Sequence, residues 1–239
     1  RVLSIGDELV DPYQDPGPAE KRDTNAPMVN SLLEDLGCTS GVDRLADEPK
    51  ELKNRFEETL DKRDLLVVIG GTSVGDRDYV RPVLEDLGVE TIFWKINQKP
   101  GKPLYLGQRD DSYVLGLPGN PVSAMVSFYL HGFALVRKLS GYPDDALYLP
   151  RIKTELTSTY EKETDRTEFV RAVSSRSDDG YRSRILTHQG SHMLSGLARA
   201  NSLVALTGPS STFRPGEPQV AYLLPDSPVP QEELFRYDG

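Results

Sequence analysis

Leu65-Leu66-Val67-Val68-Ile69 is an unbroken apolar run that ends on Gly70-Gly71. A run of aliphatic residues with no polar alternation is a strand covered on both faces. Such strands belong to parallel sheets, where crossover helices supply the cover. The run therefore commits its surroundings to βαβ units, and the flanking sequence agrees. Val2–Ile5 reads as a first strand. Asp23-Thr24-Asn25 offers N-cap candidates ahead of Pro27, Met28, Val29, Leu32, Leu33 and Leu36 share one helical face, and Gly37 ends the helix. After Asp47-Glu48-Pro49, Leu52, Phe56 and Leu60 recur at four-residue spacing, the mark of a second amphipathic helix. A helix through Leu87, a strand over 89–95 and two strands near 104–106 and 113–115 follow, the last two flanking a turn at Arg109-Asp110-Asp111. Asn120 then reads as an N-cap and Pro121 as the first residue of an apolar helix from 122 to about 139, closed by Gly141.

Beyond Tyr142-Pro143-Asp144-Asp145 the pattern changes. Segments 151–157, 167–175, 181–188, 202–207 and 219–224 are short, β-branched or aromatic, and divided by Gly, Pro and Ser turns, with no convincing helical period. They predict a small β-barrel or sandwich. The expected division is 1–145 for the α/β domain, 146–225 for the β domain and 226–239 for a peripheral tail. The first strand begins at residue 2 with no initiator Met and no lead-in, so an N-terminal portion is expected to precede it.

Composition narrows the function classes. The formal charge is −9, which argues against broad nucleic-acid or anionic-membrane binding, because both want a positive face. No apolar run approaches the ~20 residues of a membrane-spanning helix. The lone Cys38 excludes an internal disulfide framework, fits a reducing cytoplasm, and reads as a small core residue. Acidity does not exclude an anionic ligand, which backbone N–H groups and a few lysines can hold locally.

In an open α/β sheet, ligands bind beyond the C-terminal ends of the strands. Four polar, Gly-rich segments fall at that edge: Gly6-Asp7-Glu8, Asp47, the loop 70–78, and the pair 95–103 with 116–121. Gly70, Gly71, Ser73 and Gly75 let a backbone approach an oxyanion, or alternatively serve a tight strand-to-helix turn. Lys95, Lys99 and Lys102 stand within eight residues, stiffened by Pro100, Gly101 and Pro103, against the alternative of a solvated basic loop. Glu8, Asp47 and Asp78 supply a carboxylate from each of three strand ends, and Mg²⁺ is held by one or two carboxylates with substrate phosphates. Asp47 and Asp78 could instead cap the helices that follow them. His188 and His192 lie four apart, a metal spacing only on a helix. Their Gly-containing surroundings read as a structural or interface loop.

Taken together, Ser4-Ile5-Gly6-Asp7-Glu8-Leu9, Asp23-Thr24-Asn25, Gly70-Gly71-Thr72-Ser73-Val74-Gly75-Asp76-Arg77-Asp78-Tyr79, Lys99-Pro100-Gly101-Lys102-Pro103 and Gly116-Leu117-Pro118-Gly119-Asn120-Pro121-Val122-Ser123-Ala124 resemble the MoeA family of molybdopterin molybdenumtransferases, which includes the gephyrin E domain. The motifs agree in order and spacing over 1–142, and His188-Gln189-Gly190-Ser191-His192 resembles the family's β domain. The resemblance implies a three-layer α/β/α sandwich of the Mog-like, molybdopterin-binding type, followed by a β-barrel. It implies insertion of molybdate into adenylylated molybdopterin with release of AMP, Mg²⁺ as the metal, a homodimer, and an adenylyltransferase as a possible partner. Carried over, Glu8, Asp47 and Asp78 match the acidic metal-site residues, Lys95 and Lys99 the active-site lysines, and Pro118 and Pro121, flanking Gly119, the prolines that shape the pocket. Thr72 departs from the family's usual Val, and the family's two N-terminal domains have no counterpart in this sequence. Alternatives are a Mog-type molybdopterin adenylyltransferase, a CinA-type nucleotide hydrolase, and a non-catalytic scaffold on the same fold.

Overall fold

A computed structural model of the chain describes residues 1–71 and 79–225. The chain forms two compact units, one of Arg1–Ile96 with Gly101–Phe128, the other of Asn97–Pro100 with the chain from Tyr129 onward.

The first unit holds β1 (Val2–Ile5), β2 (Leu9–Val10), β3 (Lys21–Arg22), α1 (Asn25–Asp35), β4 (Val42–Leu45), α2 (Pro49–Leu60), β5 (Leu65–Ile69), α3 (Val80–Asp86) and β6 (Glu90–Trp94). After the short strand β7 (Gln98–Lys99), which belongs to the second unit, come β8 (Tyr105–Arg109), β9 (Ser112–Leu117) and α4 (Pro121–Ser127). Among the described residues the main sheet runs β4-β1-β5-β9-β8-β6. β4, β1, β5 and β9 are parallel, whereas β8 is antiparallel to both β9 and β6. β5 lies inside the sheet and is buried along Leu66–Ile69, as its unbroken apolar run requires.

Alternation along the strands sends side chains to two helical layers. Leu3, Ile5, Leu66, Val68 and Val114 pack with Leu52, Phe56 and Leu60 of α2 and with Val80, Val83 and Leu84 of α3. Their neighbours Val2, Val67, Ile69, Leu115 and Leu117 are equally buried on the other face, where α1 packs on β1 and α4 on β9. This is the expected three-layer sandwich. β4 had no signal in the sequence, because Val42-Asp43-Arg44-Leu45 is a half-exposed edge strand with charges at its centre.

The expected helix over 122–139 is three pieces: α4, a π-helical turn over Phe128–Gly132, and α5 (Phe133–Leu139). Cys38 is half-buried just past α1 rather than a core residue, and burial pushes its thiol pKa up.

The second unit continues with β10 (Arg151–Leu156), β11 (Tyr160–Glu161), β12 (Thr167–Ser177), β13 (Gly180–Ile185), α6 (Leu194–Ala198), β14 (Ser202–Leu206), β15 (Thr212–Phe213) and β16 (Pro218–Leu223). β10, β16, β14, β12 and β13 pair in a ring, because β13 bonds both β10 and β12. The five segments read from the sequence are these five strands, closed as a barrel; the helical turn α6 lay outside that reading. Ile152, Leu156, Val170, Ala172, Val204, Leu206, Ala221 and Leu223 fill the interior. A hydroxyl network also lies buried there: Ser174 Oγ is 2.6 Å from Ser183 Oγ and 2.7 Å from Ser202 Oγ, and Ser183 Oγ is 2.8 Å from Thr154 Oγ1. β7 adds to β12 in parallel, with Gln98 opposite Thr167 and Lys99 opposite Glu168.

Candidate functional site

The loops after β1, β4, β5 and β9 leave the sheet at one edge, because those strands are parallel and adjacent. Gly70 and Gly71 are required there. Both have left-handed backbones, with φ of 88° and 61°. A Cβ on Gly70 would stand 2.5 Å from the Ile5 carbonyl oxygen, and one on Gly71 would stand 2.6 Å from Val80 Cγ2. No residue but glycine fits both the conformation and the space. The Gly70 N–H donates to the Leu117 carbonyl at 3.2 Å, which locks the β5 exit against the β9 exit.

Gly119 follows β9, and a Cβ built on it would meet only Gly70 Cα, at 3.8 Å. The glycines of two separate motifs are thus neighbours, with bare backbone facing bare backbone. Asn25 ties a third motif to them, its Nδ2 donating to the Gly119 carbonyl at 2.7 Å. Of the three N-cap candidates Thr24 holds the N-cap position of α1, and the side chain that serves the helix start is that of Asp23, buried, whose Oδ1 accepts from the Ala26 N–H at 3.2 Å. Pro118, just past β9, is buried, Asn120 stands at the N-cap of α4, and Pro121 opens that helix. Ser73, Gly75 and Asp78 lie outside the described residues.

Glu8 follows β1 and is half-exposed, with its Oε1 3.7 Å from Lys21 Nζ. Asp47 follows β4, where the Asp47 N–H donates to Asp7 Oδ1 at 3.0 Å. Asp47 is not the cap of α2, whose N-cap is Glu48. β1 and β4 pair with Ile5 opposite Leu45, so both carboxylates arise just beyond the ends of adjacent strands. Among the described residues no group of three or more His, Cys, Asp or Glu is drawn together as a preformed metal site. Two carboxylates at one strand edge are what Mg²⁺ takes from protein when phosphates complete its shell.

The lysines part company. Lys95 closes β6 with a left-handed backbone, φ 65°, held by its N–H to the Leu104 carbonyl at 2.9 Å. A non-glycine residue there costs ~1 kcal/mol, an outlay that concentrates at functional positions. Its ammonium lies 3.7 Å from the Trp94 ring centroid, and Arg81 of α3 lies 3.8 Å from the same centroid. Lys102 is exposed, and its carbonyl accepts from the Ile96 N–H at 2.9 Å. Lys99 belongs to the second unit, where its Nζ is 3.1 Å from Glu168 Oε1. Glu168 has a side chain only 5% exposed and also accepts from the Tyr160 hydroxyl at 3.0 Å. Burial and that carboxylate together push the Tyr160 phenol up. Glu168 and Tyr160 had no motif to announce them.

In the His188–His192 stretch the chemistry is carried by Gln189. Its side-chain amide accepts from the Arg171 N–H at 3.0 Å and donates to the Arg171 carbonyl at 2.9 Å, standing in for a paired strand on β12. The buried Arg171 guanidinium caps the His188 carbonyl at 2.5 Å, and Gly196 is needed because a Cβ would stand 2.4 Å from that same oxygen. This is a structural loop.

The chain thus joins a mainly parallel sheet, with glycines at its C-terminal edge, to a closed barrel. Residues 1–138 match the family described as a probable molybdopterin binding domain, and residues 153–224 match the C-terminal region, domain IV, of MoeA. The chain belongs to the MoeA family of molybdopterin-binding proteins.

It is 34% identical over 218 residues to a molybdopterin molybdenumtransferase of Haemophilus influenzae, covering 90% of this chain and 54% of that one. It is also 34% identical to the molybdenum cofactor synthesis protein cinnamon of Drosophila melanogaster, over 88% of this chain and 35% of that one. The crystal structure of the molybdopterin biosynthesis MoeA protein from Pyrococcus horikoshii shares the fold, with TM-score 0.74 and 24% identity over 93% of this chain and 53% of that one. The chain spans about half the length of the Haemophilus relative. Among the described residues no helix is long and apolar enough to cross a membrane.

Proposed function

We propose that the protein to which this chain belongs acts in molybdenum cofactor biosynthesis. It inserts molybdate into adenylylated molybdopterin, and AMP leaves. The observation that carries the proposal is the meeting of Gly70 with Gly119, 3.8 Å from a Cβ position to Cα. Two loops strip their side chains at the place where a phosphate would need backbone N–H groups, at the ligand edge of an α/β sheet.

In this reading Gly70, Gly71 and Gly119 receive the pterin phosphate, with Ser73 and Gly75 continuing the cradle and Pro118 and Pro121 fixing its wall. Glu8, Asp47 and Asp78 hold Mg²⁺, which polarises the phosphoanhydride when bound. Lys95 and Lys99 balance phosphate or molybdate charge, and Lys102 adds a third cation for the cofactor. Trp94 holds the Lys95 ammonium in place at the end of β6, so its charge is positioned before an oxyanion arrives. A homodimer, an adenylyltransferase that hands on the nucleotide, and a cytoplasmic location complete the proposal. The α/β domain (1–145), the β domain (146–225) and the tail (226–239) are its working divisions.

Calorimetric titration of the full-length protein with adenylylated molybdopterin, with and without Mg²⁺ and molybdate, tests it. Mg²⁺-dependent binding that Glu8→Gln weakens is the expected result. Transfer of AMP from added ATP to the unadenylylated pterin, with pyrophosphate released, would make it an adenylyltransferase instead. No binding of either would leave the scaffold reading standing.

A further inference from the structure

His131 has no part in the proposed reaction, yet through Gln98 it is tied to the main chain beside a candidate catalytic lysine. It sits in the π-helical turn Phe128–Gly132, an insertion of the kind that recurs at functional sites. Its Nε2 is 2.9 Å from Gln98 Oε1. Gln98 is 4% exposed, and its Nε2 donates to the Pro100 carbonyl at 2.8 Å.

That second bond fixes the first. A carbonyl only accepts, so the amide nitrogen of Gln98 must face Pro100 and its oxygen must face the imidazole. The oxygen in turn needs a donor, so His131 is the Nε2–H tautomer. The Gln98 amide therefore spans from the π turn to the main chain immediately beyond Lys99.

We infer that His131 is a positioning residue for Lys99, acting through the Gln98 side chain. β7 is only two residues long, and its pairing to β12 sets Lys99 opposite Glu168. A ladder that short holds few main-chain bonds, and here two more come from Thr167 N–H to the Asn97 carbonyl and Arg166 Nη1 to the Gln98 carbonyl, each 3.2 Å. The His131–Gln98–Pro100 connection adds a brace from outside the ladder, gripping residues 98 and 100 about Lys99. The Lys99 side chain is one-third exposed and reaches Glu168 from that fixed base. Burial holds His131 neutral, with its pKa lowered to about 4, so the brace persists across the physiological range.

The inference rests on the proposed function only for what Lys99 does. The test uses the full-length protein with His131→Leu, which has no donor, and His131→Gln, whose amide places a donor near the position of Nε2. Molybdate is the calorimetric probe, used well below the melting temperature of each variant. His131→Leu is expected to weaken molybdate binding roughly tenfold or more, since a small misplacement of a working group is that costly, and His131→Gln to restore most of it. If His131→Leu does not fold, Gln98→Met serves in its place. Nitrogen NMR on the parent should show a neutral Nε2–H imidazole; an Nδ1–H tautomer overturns the inference. Parent-like affinity in His131→Leu also overturns it, as does a His131→Gln protein no better than His131→Leu. Lys99→Ala separates the two ideas. If it binds molybdate like the parent, the role of Lys99 fails and the brace is judged on the Lys99 Nζ resonance alone. A shift of that resonance in His131→Leu upholds the brace, and an unmoved one overturns it.

Discussion

Lys95 rests its ammonium on the ring of the residue before it, 3.7 Å from the Trp94 centroid, and does so with a left-handed backbone. Arg81 shares the ring at 3.8 Å. One indole thus attracts two cations through the negative potential of its π system, which offsets part of their mutual repulsion. Trp94→Leu should cost about 2–3 kcal/mol, from two cation–π contacts and lost packing, and Trp94→Phe about half of that. Urea denaturation reads the difference. Trp94 is the only tryptophan, so its emission should also change on oxyanion titration and cease to respond in Lys95→Met. Equal stabilities for the Leu and Phe variants would show that the ring face is idle.

The glycines separate folding from binding. Gly70→Ala drives a Cβ to 2.5 Å from the Ile5 oxygen and should lose ~3 kcal/mol or more. Gly119→Ala meets nothing nearer than 3.8 Å and should fold within ~0.5 kcal/mol of the parent. Its affinity for the adenylylated pterin should nevertheless fall. A Gly119→Ala protein with unchanged affinity would remove that backbone from the phosphate cradle.

His131 should give an acid limb to stability. Its folded pKa of about 4 lies below the ordinary 6.5, because burial penalises the imidazolium. Between those values the unfolded chain binds a proton that the folded chain refuses. Stability is therefore complete above about pH 7, falls as pH drops through 6.5, and levels off near 4, a loss of about 3 kcal/mol in all. His131→Gln lacks this limb. Urea midpoints at intervals from pH 7.5 to 4.5 should converge on the parent's as the solution is acidified, and parallel curves would contradict the burial argument.

Lys99 and Glu168 form a pair that should not be broken from one side. With Glu168 only 5% exposed, Lys99→Ala leaves a buried carboxylate with the Tyr160 hydroxyl but no cation, at a cost of ~3 kcal/mol. Adding Glu168→Gln removes the stranded charge and should recover more than half of the loss. Thermal melts of the two single variants and the double variant test this. Failure of the double variant to recover would place the Lys99 contribution elsewhere.

What the sequence disclosed follows from what is local. β5 was legible because burial on both faces demands an unbroken apolar run, and the barrel strands because short β-branched or aromatic segments stand between Gly, Pro and Ser turns. The nearness of Gly70 and Gly119 followed from strand ends sharing one edge. β4 escaped because an edge strand can carry Asp43 and Arg44 without cost. Gln98–Lys99 escaped because a two-residue polar strand is created by its partner, not by its own preference. The π turn has no residue signature, so neither it nor His131 could be read beforehand. Lysine spacing likewise gave no sign that Lys95 would settle on Trp94 while Lys99 paired in the barrel unit.

β12 owes its partners on one side to three different sources. β13 bonds it from Ala172 onward, the Gln189 amide occupies Arg171, and β7 covers Thr167 and Glu168. A closed barrel removes the unpaired edge on which foreign strands grow, but this barrel closes along only part of its longest strand. Gln189 and β7 are the plugs for the remainder. Removing the amide with Gln189→Ala would expose hungry main-chain groups on a β-rich segment, and the expected symptom is self-association and loss of soluble yield on storage, long before any loss of the fold itself.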